Sequence, residues 1–298
     1  LNKRNFFGYG DAKPKINWPD NKKIALSIVV NIEEGSELSV SSGDSINEHI
    51  YENNKIKLEN NMPDLCMESH FEYGLRSGFW RIMHLLDKYK FQVTFSCCSQ
   101  ALERSPWVIK EILDRGHEIS AHGVKWVSHF NLSENEERKI INKCYNDIFK
   151  LTGKPPLGWH TRSATSINTR KLLLEHGGFL YDSNAYNDDL PYKVNFKNKS
   201  IIVIPYAFDT NDMRYESNGG FVQSDDFFIY CKGAFDQLLL ETRDEKLKMM
   251  SIGLHPRIIG RPGRINGLKK LLDYISISEK TWVAKREEIA KFWAGVKL

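Results

Sequence analysis

The sequence predicts an α/β fold whose strands run parallel and roll into a barrel. Three observations carry this. Short apolar, strand-like runs alternate with helical periodicity along the chain, the order that builds βα units. The first such run, Ile24 to Ile32, is rich in β-branched residues and ends on two adjacent carboxylates, Glu33 and Glu34, before Gly35. Later runs also end on chemistry-bearing residues, and a barrel gathers the C-terminal ends of its strands on one face.

The elements follow in order. Residues 1–23 are polar with Gly and Pro and read as an N-terminal arm. After the first strand, Gly35 to Gly74 reads as a long loop excursion, a length that usually serves function or a partner. Phe79, Ile82, Met83, Leu86 and Tyr89 stand at helical spacing. Phe91 to Ser96 is a strand, Ser105-Pro106 opens a helix that Gly116 closes, and His117 to His122 is a strand. Ser133 with Glu136 forms a capping box for a helix ending at Gly153. Beyond it come a strand tip at Leu157 to His160, a helix at Asn168 to Gly177, and strands at Phe179 to Asp182 and Ile201 to Tyr206. A helix at Ser224 to Glu241, a strand at Met249 to Leu254 and a helix at Gly263 to Ser276 follow, and Trp282 to Ala284 and Arg286 to Trp293 close the chain. The reading is one catalytic domain over residues 1–298.

Composition narrows the function. With 298 residues, 41% of them hydrophobic, the chain has ample material for a large core. Its 42 basic and 38 acidic residues leave a net charge of +4, too mild to argue for nucleic acid. No apolar run is long enough to span a bilayer, and the first ten residues lack the apolar segment of a secretory signal. Five cysteines, two of them the neighbours Cys97 and Cys98, make a poor disulfide framework and point to reduced thiols in a cytoplasmic protein.

The strand tips deliver, in order, Glu33 and Glu34, His122, His160 and Arg162, Asp182, Asp209 and Asp212, and His255. Singly, each histidine is more often a hydrogen-bonded structural residue, and Asp209 and Asp212 suit a turn equally well. Together on one barrel face they specify a site. The run His255 to Arg264, with Arg257 inside it, is punctuated by Pro and Gly as a fixed loop leading into a helix.

The order of these pieces resembles the polysaccharide deacetylase superfamily: a first-strand acid pair (Glu33-Glu34), a histidine motif (His122), an arginine motif (Arg162), an acidic fourth motif (Asp209 to Asp212) and a final Leu254-His255. The chain is most similar to the branch of metal-independent allantoinases and related cyclic-amide hydrolases. The stretches that carry this are VNIEEGSE (30–37), EYGLR (72–76), residues 158–170, GGFLYDSNAYNDDLPY (177–192), IPYAFDTNDMR (204–214) and SIGLHPRIIGRPGR (251–264). The resemblance implies a distorted (β/α) barrel with fewer than eight strands, assembled as a homo-oligomer, a tetramer.

Two departures matter. Metal-dependent members hold an ion with an Asp and two histidines four residues apart. Here Trp126 stands four residues after His122, His129 lies seven on, and Glu34 replaces the ligand Asp. A catalytic zinc needs three protein ligands, so the expectation is no required metal and no other cofactor. Around the third motif the allantoinases carry Gly-Trp-Tyr-Thr-Gly, whereas this chain has Gly158-Trp159-His160-Thr161-Arg162, which puts allantoin itself in doubt as substrate.

The function that the resemblance implies is hydrolysis of a cyclic amide (an imide, hydantoin or allantoin-like ring) by base-assisted attack of water on the carbonyl. Glu33 is the expected base, with Glu34 raising its pKa if the two point the same way. His122 and His255 are candidates for the acid role, and Trp126, His160, Arg162, Asp209, Asp212 and Arg257 for binding the substrate. The competing readings are a metal-dependent N-deacetylase of an amino sugar or chitooligosaccharide, and a non-catalytic binder.

Overall fold

The structure, a computed structural model, describes residues 4–10, 14, 16–49, 61–216, 220–242 and 247–296. Its sheet is built on β1 (Ile24–Ile32), every residue of which is buried. β2 (Thr94–Cys97), β3 (Glu118–Ala121), β4 (Gly158–Trp159), β5 (Tyr181–Asp182) and β7 (Lys199–Val203) follow in parallel on one side of β1. β8 (Lys248–Leu254) lies parallel on the other side, and β9 (Thr281–Val283) adds to the start of β1. β6 (Tyr192–Phe196) makes an antiparallel hairpin with β7 at the far edge. The parallel run is therefore β7-β5-β4-β3-β2-β1-β8. That is a distorted α/β barrel with fewer than the eight parallel strands of the regular form.

Among the described residues no strand closes the circle. The gap between β8 and the β7 end is bridged by irregular chain instead: Gly253 N donates to Thr210 O (3.2 Å), Met249 N to Asp189 O (2.9 Å), and Ser251 Oγ to Pro205 O (2.9 Å). Segment 204–211 is thus both the barrel's seam and a wall of its upper end.

Helices α2 (Phe79–Tyr89), α4 (Trp107–Asp114), α5 (Glu134–Thr152), α6 (Thr169–His176), α7 (Ser224–Glu241), α8 (Pro262–Ser276) and α9 (Arg286–Ala294) lie where periodicity and caps place them. In α2 the expected stripe Phe79, Ile82, Met83 and Leu86 is buried. In α5 the capping box forms at Ser133 and Glu136, and Gly153 closes the helix at φ 71°. Among the described residues no helix is long and apolar enough to cross a membrane.

Three elements depart from expectation. The Gly35–Gly74 excursion is not loop throughout: α1 (Leu65–Tyr73) occupies its end, N-capped by Asp64, whose Oδ1 accepts from Met67 N at 2.9 Å. Residues 50–60 of that excursion lie outside the described residues. α1 has almost no amphipathic contrast, so periodicity gave no signal. A short helix, α3 (Ser99–Arg104), and strand β6 were likewise unread, the first too brief and the second half-exposed and polar.

A π-helical turn, Gly74–Gly78, joins α1 to α2 because two glycines let backbones touch. A Cβ on Gly74 would lie 2.3 Å from the Glu34 carboxylate, and one on Gly78 would lie 1.9 Å from Pro256 O. Gly260 closes on the same place, its Cβ position 2.4 Å from the Gly78 Cα. Backbone cannot step aside as a side chain can. Gly78→Ala should therefore lower stability by about 1–3 kcal/mol, the scale of an overpacked core. A thermal melt of the purified variant against the parent reads this directly.

Candidate active site

Side chains alternate along a strand, so Ser27, Asn31 and Glu33 share one side of β1 and its tip. They form an ascending polar line in the barrel interior. Ser27 receives Arg286, Asn31 Nδ2 donates to Tyr206 Oη (3.1 Å) and to Leu254 O (3.2 Å), and Glu33 stands at the top. The turn begins at once: Ser36 N donates to Glu33 O at 2.8 Å, and Gly35 adopts φ +89°. That early turn brings both carboxylates to one cation. Arg257 Nη1 is 2.7 Å from Glu33 Oε2 and 3.7 Å from Glu34 Oε1.

Glu33 is the hub. Its Oε1 lies 3.2 Å from His122 Nε2 and 3.4 Å from His255 Nε2. His122 Nδ1 is 3.0 Å from His160 O. A carbonyl only accepts, so Nδ1 carries a proton and Nε2 faces the carboxylate. His255 Nδ1 is 2.6 Å from Asp212 Oδ1, while the other oxygen of Asp212 accepts from the backbone N–H of His255 (2.6 Å) and Ile259 (3.2 Å). His160 stacks on His122 (centroids 4.9 Å, 12°) and packs against Tyr206 (4.8 Å). Its Nε2 is buried without a hydrogen-bond partner among the described residues. Arg257, fully buried, lies over the rings of Phe71 (4.6 Å) and Trp126 (4.7 Å).

Charge divides unequally over this cluster. Burial works to raise Glu33, but Arg257, His255 and the hydrogen bond from His122 outweigh it and hold its carboxyl well below the usual carboxylate range. Glu34 goes the other way: burial above all, helped by the charge of Glu33 and opposed by Arg257, pushes it up to about 7. The like-charge effect expected to raise Glu33 thus falls on its neighbour. Burial works to lower His255, yet Glu33 and Asp212 carry it up to about 9, an imidazolium at neutral pH. Burial, with the charges of His122 and Arg286, keeps His160 neutral.

The chain matches the polysaccharide deacetylase family model over residues 59–177. A Schizosaccharomyces pombe protein, named for its assignment to the polysaccharide deacetylases, is 39% identical over 93% of this chain and 92% of its own. The chain belongs to the polysaccharide deacetylase family. The crystal structure of PuuE allantoinase superposes with a TM-score of 0.93 at 40% identity, over 98% of this chain and 97% of that one. A Helicobacter pylori peptidoglycan deacetylase is 26% identical over 70% of this chain and 82% of its own. The likeness to the allantoinase agrees with the branch that the sequence motifs indicate.

A family metal does not fit the donors of this member. His129 is withdrawn from the site, its Nδ1 3.0 Å from Glu137 Oε1. His122 and His255 both address one oxygen of Glu33, and the Arg257 guanidinium stands at the other. Among the described residues no three His, Cys, Asp or Glu side chains are grouped to hold an ion.

Of the ten residues expected to form the site, Glu33, Glu34, His122, His160, Asp212, His255 and Arg257 converge, with Trp126 packed beneath Arg257. Two do not serve as expected. Arg162 spends both terminal nitrogens on Glu48 (2.6 and 2.9 Å) and lies 3.5 Å over the Trp126 ring. Its fork is therefore engaged in pinning the loop of Glu48 rather than open to a dicarbonyl. Asp209 is exposed and accepts from Tyr230 Oη at 3.2 Å; it stands outside the cluster and lines a cleft along the barrel seam. Asn31, Phe71, Tyr206 and Arg286 were missed. Arg286 had no signal at all: within Lys285-Arg286-Glu287-Glu288 it reads as solvated helix.

His255 makes stability depend on pH. Its folded pKa of about 9 exceeds the ordinary 6.5, so the native state holds this proton more tightly. The stabilisation is full below about pH 6.5 and is lost as pH rises through about 9, a difference of about 3 kcal/mol. Asp212→Asn should flatten that fall. Denaturant unfolding of both proteins at pH values across this window measures it, and parallel curves would contradict the assignment.

Proposed function

We propose that this protein is a hydrolase of carbon–nitrogen bonds other than peptide bonds, opening a cyclic amide such as an imide, hydantoin or allantoin-like ring without a metal. The observation that supports it most is the Glu33 hub. A carboxylate at a strand tip is flanked by two imidazoles and a guanidinium, in a family member whose donor set suits no ion.

In this reading Glu33 takes a proton from water as it attacks the ring carbonyl. A carboxylate held this far down is a weak resting base, so the proton must move on, and His255, once it has given its own proton to the leaving nitrogen, has Nε2 3.4 Å away to take it. His255, protonated and oriented by Asp212, supplies the proton that the leaving nitrogen needs. Arg257 offsets the negative charge that builds at the carbonyl, a task a buried cation performs well because little water screens it. His160, neutral and with an unpartnered Nε2, presents a hydrogen-bonding nitrogen to a ring amide. Glu34, sealed under Gly74 and accepting from the backbone N–H of Glu33 (3.1 Å) and Arg257 (3.3 Å), tunes Arg257 rather than meeting substrate.

A cleft of about 1630 Å³ opens along the barrel seam, with Asn184, Tyr186, Tyr206 and Phe208 in its wall. Among its lining residues, Tyr206 is the one that packs on the cluster, its ring against His160. Phe6, Phe7, Ile167 and Phe208, all exposed around this cleft, suit assembly into the homo-oligomer that the resemblance implies.

The reading is tested by a screen of imides, hydantoins and chitooligosaccharides with and without chelator. Ring opening that survives chelation is expected. Acetate release abolished by chelator would instead favour the amino-sugar deacetylase reading, which the peptidoglycan deacetylase relative brings to mind. On the ring substrate found, Glu33→Gln should still fold, at a lower melting temperature because Arg257 and His255 lose a counter-charge, and lose about 10²–10⁴ in kcat, the scale of a lost general base. Turnover within threefold of the parent would move the base elsewhere.

A further inference from the structure

Arg286, at the start of α9, is 2% exposed and sends its side chain up the barrel interior. All five of its N–H groups are used. Nε donates to Ser183 Oγ (3.0 Å), Nη1 to Ser27 Oγ (3.2 Å) and Ser251 Oγ (3.1 Å), and Nη2 to Ile204 O and to Pro205 O (3.1 Å). These acceptors come from β1, the end of β5, the end of β7 and β8, so one planar fork ties four walls together. Every acceptor is neutral, and among the described residues no carboxylate lies within ion-pair distance. A buried cation without a carboxylate is costly, and a barrel that only needed filling would use apolar side chains at lower cost.

The position of the fork suggests what the charge serves. The carbonyls of Ile204 and Pro205 belong to the peptides that launch Tyr206, and the guanidinium carbon lies 5.7 Å from the Tyr206 ring. Tyr206 carries His160, His160 stacks on His122, and His122 addresses Glu33. We propose that Arg286 is a positioning residue of the active site: it sets the height of Tyr206 and, through it, the His160–His122 stack.

The groups facing His160 are His122 from the end of β3, Glu33 from the tip of β1, His255 beyond β8, Tyr206 beyond β7 and Arg286 from α9. Glu33 alone among these favours protonation, while His122, His255 and Arg286 oppose it. Removing Arg286 takes away one of the opposing charges without touching the residues at the hub.

This inference rests on the hub being a reaction centre, but its test needs no substrate, so a wrong substrate class and a wrong role for Arg286 fail separately. Nuclear magnetic resonance of protein carrying carbon-labelled histidine, with His160 assigned through His160→Asn, follows the ring across pH in the parent and in Arg286→Gln. The parent His160 should stay neutral where an ordinary histidine titrates, near about 6.5. In Arg286→Gln its midpoint should rise by about one pH unit, tenfold in proton affinity, and its ring resonances should move as Tyr206 loosens. A folded Arg286→Gln protein with His160 unchanged in both respects overturns the proposal and leaves Arg286 as a cross-link of the barrel. Should Arg286→Gln fail to fold, the same spectra are taken on Arg286→Lys, which keeps the charge and loses the fork. There His160 should remain neutral with shifted resonances, and resonances coincident with the parent would overturn the proposal.

Discussion

The structure turns on the compensation of one buried carboxylate. Glu33 is 1% exposed, and an isolated charge there would protonate rather than persist. Arg257, His255 and His122 keep it ionised, and each has its own support: the rings of Phe71 and Trp126 under Arg257, Asp212 behind His255, the carbonyl of His160 behind His122. The supports come from α1, from the loops after β3 and β4, and from the seam. The site is therefore the place where separate parts of the barrel are made mutually dependent, and removing a single partner exposes the others to an unpaired charge.

Much of this was legible in the chain. β-branched runs and their polar tips gave the strands, and the capping box at Ser133 and the stripe of α2 gave helices, because these are local signals. Six of the seven converging residues followed from their place at strand ends, and Arg257 from the Pro- and Gly-punctuated loop after the last of them. What stayed hidden depends on packing across the chain. Arg162 looked like a substrate fork since nothing local names Glu48, 114 positions away, as its partner. Asp209 and Asp212 share a short turn, and only its three-dimensional path decides which one meets His255. The direction of the two glutamate pKa values was equally unreadable, since it depends on which carboxylate Arg257 approaches more closely. Arg286 was silent for the same reason, its role set by carbonyls that sequence does not distinguish.

Trp126 shows how a substitution at a ligand position can change the nature of a site. An indole cannot bind an ion, but its face attracts cations, and here two guanidinium groups lie over it, Arg257 at 4.7 Å and Arg162 at 3.5 Å. In the metal-free reading proposed above, the positive charge that a metal supplies in metal-dependent members is covalently part of this chain. Its position is set by packing, and it is not subject to exchange with the surrounding solution.

The seam of the barrel has an evolutionary consequence. A wall made of paired strands admits no change of length without a slip in register, and a slip of one residue turns every side chain around. Segment 204–211 closes the barrel through scattered bonds such as Gly253 N to Thr210 O, with no continuous ladder to preserve. Insertions and exchanges can accumulate at residues 207–209, beyond Tyr206, while the seven parallel strands and the glutamate hub stay as they are. Descendants of one scaffold can diverge in what they accept by rewriting this stretch alone.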